Sequence, residues 1–412
     1  MRISLTDTVI GLSSAIDLVS PQMADHHKRV AYIAYSISTE MRLPERDRLL
    51  ILIAGLLHDC GAIHDDEKKN AFRFDFGDTR DERLKHGIKG WQILSRIEEL
   101  RIPSSIIRYH HLYWNETDEL RNEGADIPLG SYVLHLADSI DVLMDRTSEV
   151  LEQRKDIIET IRGGKGTMFM PEAVDAFLAV SGREYFWFDL ISPYIDGLLI
   201  DQMKYVKAFA NLNKMISISE VFTGIIDFRS GFTAAHSVGV AECAVQLAAK
   251  MSFSKEDQKR MKIAGLLHDL GKLSIPLNIL EKHGPLTANE FNIMKKHTFY
   301  SYRLLSRIHG MEKINEWASF HHERLDGSGY PFKLKGDDLD TGARIMAVSD
   351  VFTALTEKRP YRDAMSYADA LKIINRMVSD NHLDGEVVEV LRQHTEEIYD
   401  YKLLAQYRVV PG

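Results

Sequence analysis

Two stretches of this chain set a histidine beside an aspartate at the end of an apolar helical run. They are Ala54–Ala62, AGLLHDCGA, and Ala264–Lys272, AGLLHDLGK. An imidazole nitrogen next to a carboxylate can hold a divalent cation, and the carboxylate's second oxygen is free to bridge to another ion. A lone His-Asp pair could equally be a polar helix end facing solvent. Here the pair recurs, with His58-Asp59 and His268-Asp269 separated by 210 residues.

The echo extends along the chain, as an internal repeat requires. At the same separation Ile16-Asp17 matches Ile226-Asp227, His26 matches His236, and Val30-Ala31 matches Val240-Ala241. One inserted residue then brings Lys85-His86 onto Lys296-His297, Leu94–Ile97 onto Leu305–Ile308, and His110-His111 onto His321-His322. A second insertion brings Gly130 onto Gly342 and Asp138 onto Asp350. The chain therefore reads as a tandem duplication. The second copy offers His236, His268, Asp269, His297, His321, His322 and Asp350; the first offers His26, His58, Asp59, His86, His110, His111 and Asp138. One ion takes about four to six ligands, so seven donors with a bridging carboxylate suit two ions. Nitrogen and oxygen donors without sulfur fit Mn, Fe or Zn alike. His283, His309, His382 and His394 have no histidine counterparts in the other copy and are left out of the set.

The elements that must position these groups are helices. Apolar residues recur every three or four positions through Val238–Met251, Arg260–His268, Phe291–Ile308 and Ala343–Leu355, and period-two strands are absent. Pro44 opens one helix and Ser254, ahead of Glu256-Asp257, opens another. The segment Gly163–Gly166, GGKG, follows a helix rather than a strand, so it reads as a turn and not a phosphate-binding loop. The expected class is all-α: a divergent first domain over 1–188, a helical and rigid junction over 189–213, and a second domain over 214–412. Within the junction, Ile191–Ile200 and Met203–Ala210 read as helix.

Composition narrows the function. A length of 412 residues allows two or three domains with their own cores. The net charge of −9 argues against general attraction to nucleic acid or an anionic membrane. Cys60 and Cys243 read as buried free thiols in a reducing compartment. No signal segment or membrane span is visible, so a cytoplasmic protein is expected, with no DNA, RNA or membrane partner and with self-association left open.

The long segment His321–Pro331, HHERLDGSGYP, together with HDLGK upstream and Lys358–Arg362, KRPYR, downstream, resembles the HD-GYP family of the HD metal-dependent phosphohydrolases. The resemblance covers about 222–394. It implies an all-helical fold with a di- or trinuclear metal site, commonly iron or manganese, and hydrolysis of cyclic di-GMP or, in some members, cyclic GMP-AMP. It makes the seven second-copy residues metal ligands, and it sets Lys272, Arg359 and Arg362 near the substrate phosphates. Gly327, Gly329 and Tyr330 fall in the loop beside the site. Two positions depart from the family pattern. Phe232 stands where trinuclear members carry a glutamate four residues before the first histidine, which favours two ions. Gly239 stands where an arginine is common.

The first copy resembles the wider HD superfamily. Its donor set is complete, so metal is expected there too, but Ala62 replaces the lysine and Leu112–Asn115 replaces the GYP loop. The expected activity is phosphodiester hydrolysis of a cyclic dinucleotide by the second copy, with Asp269 and Lys272 as its central catalytic groups. The first copy is then either a phosphatase for the linear product or a regulatory nucleotide site. A mononucleotide phosphohydrolase and a non-catalytic signalling scaffold are the competing readings; the intact GYP loop opposes the first and the retained ligands oppose the second.

Overall fold

The computed structural model describes residues 3–19, 24–62, 79–204, 209–229, 235–358 and 363–407. The chain divides into two compact units, Thr6–Ala208 and Phe209–Gly412, the latter joined by Met1–Leu5. Both are built from helices. Among the described residues the strands are Ile3–Ser4 and Phe209–Ala210, a two-residue antiparallel pair with Ile3 opposite Ala210. No helix of the described residues is long and apolar enough to cross a membrane.

The helices start where polar side chains can satisfy the unpaired amides of a first turn. Ser254 accepts from the Asp257 amide at 3.0 Å and opens Lys255–Leu267. Asp340 accepts from the Ala343 amide at 2.9 Å and opens Thr341–Leu355. In the first unit Pro44 precedes Glu45–Leu57, and Pro171 sits in the first turn of Pro171–Ser181, where its missing N–H costs nothing.

Each unit wraps its partners around one histidine-led helix. In the second unit His236–Lys250 packs against Lys255–Leu267, Thr341–Leu355 and Thr395–Tyr407. In the first, His26–Glu40 packs against Glu45–Leu57, Leu129–Leu143 and Pro171–Ser181. The inward faces are largely apolar: Ile263, Trp317 and Phe352 are buried in one unit, and Phe177, Phe186 and Trp187 in the other. Each such side chain contributes about 1.5–3 kcal/mol on burial. These cores fix the helix ends, and the polar residues cluster at those ends.

The junction differs from its expected form. Ile195–Met203 is a helix, but Ile191 caps the end of the preceding Glu184–Leu190 helix instead of starting a new one. Residues 205–208 of the expected second helix lie outside the described residues, and Phe209–Ala210 is a strand. Two contacts, one long-range and one local, explain the change. The strand amides pair with Ile3–Ser4, and Asn211 Oδ1 accepts from the Lys214 amide at 3.0 Å, so a fresh helix begins at Leu212.

Candidate metal centres

In the second unit the seven donors come from helix ends and one helix face. His236 begins its helix, His268 ends the Lys255–Leu267 helix with Asp269 in the turn beyond it, and His321-His322 follow Glu312–Ser319. His297 and Asp350 project from Lys296–Leu305 and Thr341–Leu355. The two Asp269 oxygens face different partners: Oδ2 lies 3.2 Å from His268 Nε2, and Oδ1 lies 3.6 Å from His297 Nε2. Asp350 faces His236 Nε2 at 3.2 Å through Oδ1 and His322 Nδ1 at 3.7 Å through Oδ2. The donors fall into overlapping sets, His236–His268–Asp350, His268–Asp269–His321 and His297–His321–His322, whose ligand atoms lie within 4.8 Å of one another.

The backbone decides which ring nitrogen each histidine presents. His268, His297 and His321 each donate from Nδ1 to a carbonyl three residues back, on Gly265, Met294 and Ala318, at 2.8, 2.7 and 2.6 Å. A carbonyl can only accept, so the proton sits on Nδ1 and the Nε2 lone pair points inward. His297 Nε2 and His321 Nε2 then face each other at 3.5 Å with no proton between them. His268 Nε2 is buried and makes no hydrogen bond. Burial holds His297 at about 3 and His321 well below the usual histidine range, which keeps both rings neutral. Opposed lone pairs in a dry site repel unless a cation lies between them. The residues fit a divalent metal.

Charge balance points the same way. Burial opposes ionisation of Asp269, yet the neighbouring Lys272 ammonium holds its carboxyl well below the ordinary range. Burial also opposes a charged His236, but Asp350 and Glu357 outweigh it and raise that ring to about 9. The site is a nest of carboxylates that attracts whatever positive charge is available.

The turn after Asp269 is pinned to the helix carrying His297. A Cβ on Gly271 would lie 1.9 Å from the His297 carbonyl oxygen, so no other residue fits there. Ser301 Oγ accepts from the Gly271 amide and donates to the His268 carbonyl, at 2.9 and 2.8 Å. Lys272 extends from this turn and donates to Asp269 Oδ2.

The GYP loop folds back on the histidine pair. The Tyr330 amide donates to the His322 carbonyl at 3.1 Å, and the two rings lie 4.9 Å apart. Gly327 has a φ of +80°, and a Cβ on Gly329 would lie 2.4 Å from the Arg324 nitrogen. Buried Glu323 staples the loop by accepting from the Phe332 and Leu334 amides at 2.6 and 3.2 Å. Arg359 and Arg362, expected near the substrate phosphates, and Phe232 lie outside the described residues.

The first unit assembles its seven donors in the same way. Asp59 Oδ2 lies 3.5 Å from His58 Nε2 and 3.8 Å from His26 Nε2, and Oδ1 lies 3.4 Å from His86 Nε2 and 3.8 Å from His110 Nε2. Asp138 lies 3.4 Å from His26 and 3.9 Å from His111. His58 and His110 again donate from Nδ1 to carbonyls three residues back, at 2.8 and 2.6 Å. What differs is access. Where the GYP loop stands in the second unit, Trp114 and Asn115 amides bond to the Met168 and Thr167 carbonyls at 3.1 and 2.9 Å. The His111 side chain is 1% exposed, whereas its counterpart His322 is 30% exposed.

Sequence reasoning missed the groups behind the first histidines. Asp141 receives His26 Nδ1 at 2.7 Å, and Glu357 receives His236 Nδ1 at 2.9 Å. Both positions were in principle legible, because Asp141 is one turn beyond Asp138 and Glu357 two turns beyond Asp350. Glu323 carried no comparable signal, since its partners are backbone amides of an irregular loop.

The HD domain family matches twice, over residues 23–143 and over residues 220–387. The chain is 31% identical over 410 residues to 3'3'-cGAMP-specific phosphodiesterase 1 of Vibrio cholerae, covering 98% of this chain and 94% of that one. It is 35% identical over 188 residues to a cyclic di-GMP phosphodiesterase of Thermotoga maritima, covering 45% of this chain and 51% of that one. Among solved structures, a cyclic GMP-AMP-specific phosphodiesterase of V. cholerae is similar with a TM-score of 0.67 at 22% identity, over 100% of this chain and 99% of that one. That structure shares the fold.

Proposed function

The chain belongs to the HD-GYP family of HD-domain phosphodiesterases, and from that premise we propose that its second unit hydrolyses a cyclic dinucleotide to the linear form on two divalent ions. The observation that carries this reading is the division of Asp269, whose two oxygens face different histidines at 3.2 and 3.6 Å. Asp269 would bridge, with His236, His268 and Asp350 on one side and His297, His321 and His322 on the other. Two such ions polarise a phosphoryl oxygen, supply a nucleophile at neutral pH and stabilise the leaving alkoxide.

The chain's own residues do the rest. The Nδ1–carbonyl bonds of His268, His297 and His321 hold three lone pairs in place before any ligand arrives. Lys272, 17% exposed beside Asp269, would offer its ammonium to a phosphate oxygen of the substrate. Tyr330 and the Glu323-stapled loop wall the open side, at His322. We take 3'3'-cGAMP as the first candidate substrate, since a relative aligned over 98% of the chain carries that specificity, whereas a cyclic di-GMP relative aligns over 45%. The test is incubation of manganese- or iron-loaded protein with 3'3'-cGAMP and cyclic di-GMP separately, products being resolved by chromatography. Linear dinucleotide from either supports the reading. No turnover of either by metal-replete protein would overturn it.

The first unit carries a complete donor set under a closed cover. We propose that it also holds metal, and that it acts on a group smaller than a cyclic diester. A terminal phosphate of the linear product is such a group; a regulatory nucleotide phosphate is the second reading, favoured by the 1% exposure of His111.

A further inference from the structure

The two units back their first histidine by different means, and the difference assigns a role to the last helix. In the first unit His26 Nδ1 rests on Asp141 at 2.7 Å. Arg29 grips the same carboxylate, from Nε at 2.5 Å and NH2 at 3.3 Å, while its NH1 donates to the Ala24 carbonyl at 2.9 Å. Arg146 adds a third bond to Asp141 at 3.1 Å. The ring is therefore held by a carboxylate that is itself held by two guanidinium groups.

In the second unit that machinery is gone from its place. Thr353 stands one turn beyond Asp350 where Asp141 stands beyond Asp138, and Gly239 stands three residues after His236 where Arg29 stands after His26. The space is filled from the far end of the chain. A Cβ on Gly239 would lie 2.6 Å from Gln406 Nε2 and 3.1 Å from Thr353 Cγ2. Gln406 Nε2 donates to the Ala235 carbonyl, one residue before His236, at 2.9 Å, as Arg29 donates to the Ala24 carbonyl two residues before His26. One turn earlier on Thr395–Tyr407, Lys402 is wholly buried and donates to Thr356 Oγ1 at 2.9 Å and to the Thr356 carbonyl at 3.3 Å. The next residue is Glu357, which holds His236 Nδ1 at 2.9 Å. Burial lowers the Lys402 pKa, and the nearby Glu357 works against it.

We propose that Lys402 and Gln406 of the C-terminal helix are positioning residues of the second metal centre, replacing Arg29 and Arg146 of the first: Lys402 fixes the Thr356–Glu357 segment so that Glu357 orients His236, and Gln406 occupies the space vacated at Gly239. A buried ammonium is costly unless it is paired. A packing role alone would be filled better by a methionine of similar length. The ammonium instead holds the Thr356 hydroxyl and carbonyl, and with them the place of the adjacent Glu357 behind His236.

This inference rests on the second unit being a metal centre, and the experiment separates the two. Full-length wild type, Lys402→Met, Glu357→Gln and the double variant are stripped with chelator, and manganese binding is titrated alongside thermal melts of the stripped proteins. Each single variant is expected to weaken manganese binding about 10- to 100-fold at the second unit. The double variant should be no weaker than the worse single, because both act on one ring. The stripped Lys402→Met protein should melt at or above the wild-type temperature. If wild type binds no metal at the second unit, the metal-centre reading fails. If wild type binds and Lys402→Met binds equally well, this inference alone is overturned. It is also overturned if the losses in the double variant simply multiply, or if weaker binding appears only with a matching fall in the stripped protein's melting temperature. Gln406→Ala, which keeps Lys402, should lower affinity less than Lys402→Met; the reverse order would remove Lys402 from the role.

Discussion

Asp269 is the residue on which the second site turns, because removing its side chain removes a donor from both halves of the cluster. Asp269→Ala is therefore expected to lose bound metal and to lower phosphodiester turnover by about a hundredfold or more. Metal analysis and a turnover assay check it together; near-normal turnover with full metal content would end the bridging assignment. Lys272 makes the opposite prediction. Its ammonium carries no lone pair for a metal, and its partner is Asp269 Oδ2. Lys272→Ala should keep the metal content of wild type while raising KM or lowering kcat. Loss of metal in that variant would instead make Lys272 part of the scaffold that orders Asp269.

At the scale of elements, the helices deliver donors and the loops decide what reaches them. The GYP loop is irregular, and its shape depends on one buried carboxylate. Glu323→Ala leaves the Phe332 and Leu334 amides without their acceptor, a cost of about 1–3 kcal/mol for each amide that water does not reach. The variant is expected to keep its metal, because no ligand moves, and to bind substrate more weakly as Tyr330 leaves the His322 ring. A rise in KM with unchanged metal content is the measurement. An unchanged KM would show that the loop keeps its form without the staple.

For the whole molecule, the duplication gives two donor sets of the same kind, one with an exposed histidine edge and one without. If the first unit removes the terminal phosphate of the linear product, Asp59→Ala should accumulate 5'-phosphorylated linear dinucleotide, whereas Asp269→Ala should leave the cyclic substrate intact. A time course of products from both variants, run beside wild type, distinguishes the roles. A silent Asp59→Ala means the first unit is no phosphatase and leaves the regulatory reading. Wild-type products from both variants would remove both assignments.

The repeat, the helical class and the fourteen candidate donors were legible in the sequence, because helical periodicity and an intact pattern of His and Asp are local features that survive divergence. Gly271 could be read as a break after the His-Asp pair, but the reason no other residue fits there, the His297 carbonyl, is a contact across 26 residues. The tertiary structure alone decided which nitrogen each histidine presents, since that depends on a carbonyl within bonding reach. It also decided that Lys272 rests on Asp269, that Glu323 holds the loop, and that the first site is closed where the second is open. Above all, it brought Lys402 and Gln406 beside residues more than 40 and 160 positions earlier. No period or motif in the chain encodes that meeting; it follows from how the last helix packs against His236–Lys250.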